Sequence, residues 1–177
     1  MKLADYTSTQ VLGAKKSDDK AKYKEGMLPS KINIWTGAAL DAVQFECGDV
    51  KLEKHGGNGG GYKSGLLKEG QYIKKVRVTA NRFSGNKVLT AIAFYDQNGN
   101  LIAGNVSSGD SKELVAGEGE CICALCADVV WAGGTNVLSG IGIYTCELPN
   151  VKDLLNALGS VKSASMAHVN GPFAEKR

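Results

Sequence analysis

Hydrophobic and polar positions alternate along most of this chain. Ile32 and Ile34, and then Val43, Phe45 and Cys47, recur at every second position, the period of a strand with one buried face. The two runs flank Gly37, Ala38, Ala39, Leu40 and Asp41, and predict a hairpin that turns there. A shorter run at 50–52 leads into the glycine-rich segment His55-Gly56-Gly57-Asn58-Gly59-Gly60-Gly61, and residues 64–67 lead out of it. Alternation returns at 72–79, with Tyr72, Lys74, Val76 and Val78 opposed to Ile73, Lys75 and Arg77. Residues 88–95 read as a long apolar strand, and Asn98-Gly99 predicts a tight hairpin into Leu101-Ile102-Ala103. With strands at 113–115, 121–130 and 138–146, roughly ten short strands follow one another at regular spacing, which predicts an all-β sandwich, barrel or prism.

The two ends break this pattern. Residues 1–30 are polar and lysine-rich and read as a loose arm, with a short strand at Thr9-Gln10-Val11-Leu12 and a turn at 15–19. After Pro149 the period becomes helical: Asn150 is placed to cap a short helix over 151–158, Val151, Leu154, Leu155 and Leu158 share a face, and Gly159 stops it before a polar tail.

Composition narrows the function classes. A chain of 177 residues is one domain by length, and 23 glycines against 3 prolines suit many turns between strands. The net charge of +3 is small and its lysines are dispersed among acids, so no basic stripe marks a nucleic-acid binder. No run is apolar enough for a signal peptide or membrane insertion, which predicts a cytoplasmic or unconventionally secreted protein. Five cysteines are an odd number, and free buried thiols are expected.

The ordered motifs resemble the jacalin-related lectins of mannose/glucose type. They are SKINIWTGAALDAVQF, then HGGNGG, EGQYIKKV, the apolar strand before the Asn-Gly turn, and LSGIGIY, spread over roughly residues 9–148. The resemblance implies a β-prism I fold: three four-stranded Greek-key sheets about a pseudo-threefold axis, with the first and last strands in one sheet. The prism domain would span 1–148, with residues 1–8 disordered and the first strand and its loop within 9–26. The C-terminal helix and tail, 149–177, fall outside it. The likeness of Leu40-Asp41-Ala42-Val43 to Leu138-Ser139-Gly140-Ile141 would then mark the same hairpin in two sheets.

In that family a sugar is held by a Gly-x-x-x-Asp turn and the backbone of a neighbouring Gly-Gly loop. The residue types suit the chemistry, because an ionised carboxylate accepts two hydroxyl protons, turn amides donate in a fixed geometry, and glycine lets main chain come close. Carried over, the carbohydrate-binding residues are Gly37, Ala38, Ala39, Leu40 and Asp41 with Gly59 and Gly60. Ala38, Ala39 and Leu40 would offer apolar contact to a pyranose face. The position most members use reads Thr135-Asn136-Val137-Leu138-Ser139, without the glycine or the aspartate, and its companion glycine loop is also altered, to Lys15-Lys16-Ser17-Asp18. The implied function is a non-catalytic lectin with one site per chain, whose partners are glycans or glycoproteins and which assembles as a homo-oligomer. The alternative is an interaction or structural module of the same fold that has lost sugar binding.

Other chemistry is less well supported. Gly60-Gly61-Tyr62-Lys63-Ser64 differs from a phosphate loop because Tyr62 intervenes and a strand follows. Cys121 and Cys123 face one way on a strand and Cys126 the other, with no histidine near in sequence, so neither a metal nor any other cofactor is expected. His55 and His168 read as loop residues, and no Ser-His-Asp set assembles from the sequence, so no enzyme activity is expected. Trp35 and Trp131 read as core or sheet-face residues.

Overall fold

The computed structural model describes residues 1–149, and the helix and tail expected beyond them lie outside the described residues. In chain order, β1 (Lys2–Ser8) and β2 (Lys15–Asp18) lead into a single 3-10 turn at Asp19–Ala21. The hairpin of β3 (Lys31–Thr36) and β4 (Leu40–Cys47) follows, then β5 (Val50–Lys51), β6 (His55–Gly56) and β7 (Gly61–Leu66). The next group is β8 (Ile73–Phe83), β9 (Asn86–Asp96), β10 (Leu101–Gly104) and β11 (Asp110–Val115), and the last hairpin is β12 (Glu120–Ala132) with β13 (Thr135–Glu147).

Three sheets result, each a central pair of consecutive strands flanked by shorter ones: β1-β13-β12-β2, β5-β4-β3-β7 and β10-β9-β8-β11. In the second sheet β5 and β6 together fill the fourth position along β4, because the chain leaves the ladder to bury Leu52 and returns at His55. This is the all-β prism with three sheets of four strand positions. Its first and last strands pair antiparallel, from Lys2 opposite Thr145 to Ser8 opposite Gly140.

Three expectations are corrected. Residues 1–8 are not a loose arm, because Lys2–Ser8 is strand β1. Its first five residues are exposed, so its sequence shows no alternation; the backbone ladder to β13 holds it. Second, residues 9–12 form the loop between β1 and β2, whereas Lys15–Asp18 pairs with β12. Third, Ile73 does not oppose Val76. A bulge between Ile73 and Lys75 resets the alternation, and Ile73, Val76 and Val78 are all buried.

The core lies between the sheets. Phe45 on β4 and Phe94 on β9 meet edge to face with ring centroids 5.5 Å apart, and Ile122 and Leu125 of β12 complete the contact among the sheets. Each such side chain contributes roughly 1.5–3 kcal/mol by leaving water. A smaller cluster under the hairpin ends joins Ala39, Val88, Val130, Ala132 and Val137. These two clusters fix where the turns after β3 and β12 emerge.

Candidate carbohydrate site

The turn between β3 and β4 is tight: the Gly37 amide donates to the Ala39 carbonyl at 3.0 Å, and Thr36 Oγ1 donates to the same oxygen at 3.3 Å. Only Gly37 and Ala38 are exposed. Ala39 and Leu40 are buried, one in the small cluster and the other in the main core, so their side chains offer no face to a sugar, contrary to the sequence expectation. They anchor the turn, and Ala38 alone presents a methyl group to solvent. The Ala38 amide forms no hydrogen bond among the described residues.

Asp41 is 6% exposed, and among the described residues no hydrogen bond or ion pair reaches its carboxylate. Burial pushes its carboxyl above the usual carboxylate range. A buried carboxylate without donors is costly to keep. What faces it is the glycine segment. A Cβ built on Gly59 would lie 2.6 Å from Asp41 Oδ1, and one on Gly60 2.5 Å from Oδ2, so a side chain at either position would strike the carboxylate. Gly60 also has φ +80°, a conformation that favours glycine. The structure therefore brings Asp41, Gly37, Gly59 and Gly60 together, and the loop glycines are what let backbone lie against the acid.

The loop is held from behind. The Gly57 amide donates to the Asp41 carbonyl at 2.9 Å, and β6 pairs Gly56 with Ala42 and His55 with Val43. His55 is fully buried, with Nε2 2.9 Å from Asp19 Oδ1 and Nδ1 2.6 Å from Ser17 Oγ. Asp19, also fully buried, accepts from the Glu53 amide on Oδ1 and from the Leu125 amide on Oδ2. A Ser-His-Asp chain thus exists that sequence reasoning missed, since His55 on β6 lies 36 positions from Asp19 in the 3-10 turn and 38 from Ser17 on β2. Its acid is saturated with donors, and none of the surface hollows of about 310–470 Å³ includes Ser17 or His55. It serves as a clamp tying β6, and so the glycine loop, to β2 and β12. The one signal in the sequence was a histidine directly before a run of glycines.

The same junction occurs once in each sheet. In the first, the Thr9 amide donates to Ser139 O at 2.8 Å with Ser8 opposite Gly140; in the third, the Asn105 amide donates to Ile92 O at 2.9 Å with Gly104 opposite Ala93. These match Gly57 on Asp41 O and Gly56 opposite Ala42. Gly56 and Gly104 are even alike in detail, since a Cβ on either would come within 2.0 Å of the equivalent carbonyl, Asp41 O or Ile92 O. The three equivalent side chains are Asp41, Ser139 and Ile92. The hairpin likeness read from the sequence holds in space. The companion of Ser139, however, is the loop at 9–14, not Lys15–Asp18, because a strand paired to β12 lies one element beyond the junction. Ser139 is fully buried and its Oγ has no partner among the described residues.

The remaining residues singled out lie elsewhere. Trp35 is half-buried, with the Lys54 ammonium 4.2 Å over its ring and Tyr62 packed at 5.1 Å, whereas Trp131 is 70% exposed and so not a core residue. Cys121 and Cys123 are buried and Cys126 half-buried, and Cys121 Sγ lies 3.7 Å from Cys146 Sγ.

A family model described as a Jacalin-like lectin domain matches residues 10–144. No curated protein matches the chain in sequence. Solved structures of similar fold include a Malaysian banana lectin, 15% identical with TM-score 0.60, covering 81% of this chain and 96% of that one. Artocarpin complexed with methyl-α-mannose is 18% identical with TM-score 0.62, covering 84% and 100%. A prostate-specific WGA16 glycoprotein lectin is 17% identical with TM-score 0.59, covering 80% and 99%.

Proposed function

The chain belongs to the jacalin-like lectin domain family, and from that premise we propose that it is a non-catalytic lectin for mannose- or glucose-type glycans, with a single site at Asp41. One observation carries the reading: a nearly buried carboxylate has no protein donor among the described residues and is walled by two glycines that admit no Cβ. Two adjacent sugar hydroxyls supply the missing donors. The exposed Gly37 and Ala38 form the rim, the Ala38 amide, without a partner among the described residues, donates to a ring or hydroxymethyl oxygen, and the backbone of Gly59 and Gly60 lies alongside. The mannose ligand of artocarpin fits the same chemistry.

So open a site predicts a monosaccharide affinity on the order of millimolar, about 4 kcal/mol, with useful avidity coming from multivalent glycans. Calorimetric titration of mannose and glucose, with a glycan array, tests it. Wild type binds and Asp41→Ala does not. Equal binding by both, or none by wild type, leaves the second reading, an interaction module without sugar binding, which the replacement of the acid by Ser139 and Ile92 at the two equivalent junctions favours.

A further inference from the structure

We propose that the Asp41 site continues into an adjoining cationic hollow, so that the glycan selected carries a sulfate or carboxylate on the residue next to the one Asp41 holds. This rests on the sugar-binding reading above. The hollow, about 470 Å³, opens between the Asp41 hairpin (Gly37, Ala38), Lys63 on β7, Arg82 on β8, and the β10–β11 loop (Asn105, Ser108). Gly37 is common to both places: a Cβ built on it would lie 3.9 Å from Asp41 Oδ2. A sugar seated against the carboxylate therefore directs its neighbour into the hollow.

No Asp or Glu lines this space. Lys63 forms no ion pair among the described residues, and the Arg82 guanidinium makes one hydrogen bond, Nη1 to Gly85 O at 3.2 Å. The neighbouring Lys87, opposite Arg82 in the β8–β9 ladder, is instead paired with Asp110, and the two line the next hollow with Arg82. Two uncompensated cations beside amide and hydroxyl donors make a site for an anionic oxygen cluster. Asp41 constrains where that charge sits. An anion on the sugar it holds would be repelled, so the negative group belongs on the adjacent residue, over Lys63 and Arg82.

The test compares α-mannobiose, the same disaccharide sulfated on one residue, and a glucuronosyl-mannose, titrated calorimetrically at low and high salt. Two exposed charge contacts of ordinary strength together give about a tenfold advantage for the anionic disaccharides at low salt. That advantage shrinks as salt screens it. In the Lys63→Gln, Arg82→Gln double variant, its fold checked by circular dichroism, the ratio of anionic to neutral affinity falls to near one; whether sulfate or carboxylate gives the larger ratio identifies the group. Equal affinity for all three sugars, with Asp41 required, overturns the extension and leaves the sugar site standing. Binding of none overturns the sugar site and the extension with it. Anionic binding that survives in both Asp41→Asn and Asp41→Ala but disappears in the double variant overturns the shared site.

Discussion

The Asp41 carboxylate is held nearly buried without a protein donor among the described residues, and this has a measurable signature. Its folded pKa lies above the ordinary value of 3.8, so ionisation costs stability. The cost is absent below the unfolded value, grows as pH rises through it, and is complete above the raised folded value. Asp41→Asn removes the charge at nearly constant shape. It is expected to melt with wild type near pH 3 and above it at pH 7, while losing sugar binding. Thermal melts at the two pH values check this, and a variant less stable than wild type at neutral pH contradicts it. The glycines carry the complementary prediction. Gly59 is not in the left-handed region, so Gly59→Ala suffers chiefly from the contact with Asp41 Oδ1. It should weaken mannose binding at least about tenfold for a stability loss of about 1 kcal/mol, measured by titration and denaturant unfolding.

At the scale of elements, the glycine loop owes its position to the short strand β6 and to the buried His55–Asp19 contact at 2.9 Å. Loops of this composition are otherwise free to wander. His55→Ala takes one of three donors from a fully buried carboxylate, and leaves Asp19 with the Glu53 and Leu125 amides. The expected loss is about 1–3 kcal/mol. Amide exchange at residues 56–60 should quicken, and sugar affinity should fall even though His55 touches no sugar. Unchanged exchange in the loop would show that its backbone bonds suffice. The bulge after Ile73 has a similar organising role, turning both Ile73 and Val76 to the core although they lie three residues apart.

At the scale of the whole molecule, the described sheets close by pairing β1 with β13. β1 covers the outer edge of β13, and without it a long strand would present unpaired backbone groups to other chains. Deleting residues 1–8 is therefore expected to lower the melting temperature and drive self-association, seen by light scattering, whereas removal of a loose arm would leave both unchanged. The threefold arrangement also lets the acid stand at one junction alone. Each sheet keeps its own backbone bond from loop to hairpin, so the acid is replaced by Ser139 or Ile92 at two junctions while the prism stands.

Much of this was legible in the sequence. Strands with one buried face announce themselves by period two, as in β3 and β4, and glycines that flank a lone aspartate mark a place where backbone must come close. The all-β class and the central hairpin follow from such local signals, and the pairing of Gly37–Asp41 with Gly59–Gly60 from the resemblance to the jacalin-related lectins. What only the tertiary structure decided depends on contacts distant in sequence. β1 is a strand because β13 offers it a ladder, Ala39 and Leu40 point inward because two clusters claim them, and His55 on β6 meets Ser17 of β2 and Asp19 of the 3-10 turn across the fold. Alternation reports burial within an element and is blind to hydrogen bonds supplied by another. For the same reason the emptiness around the Asp41 carboxylate, on which the functional reading depends, could be seen only once the chain was folded around it.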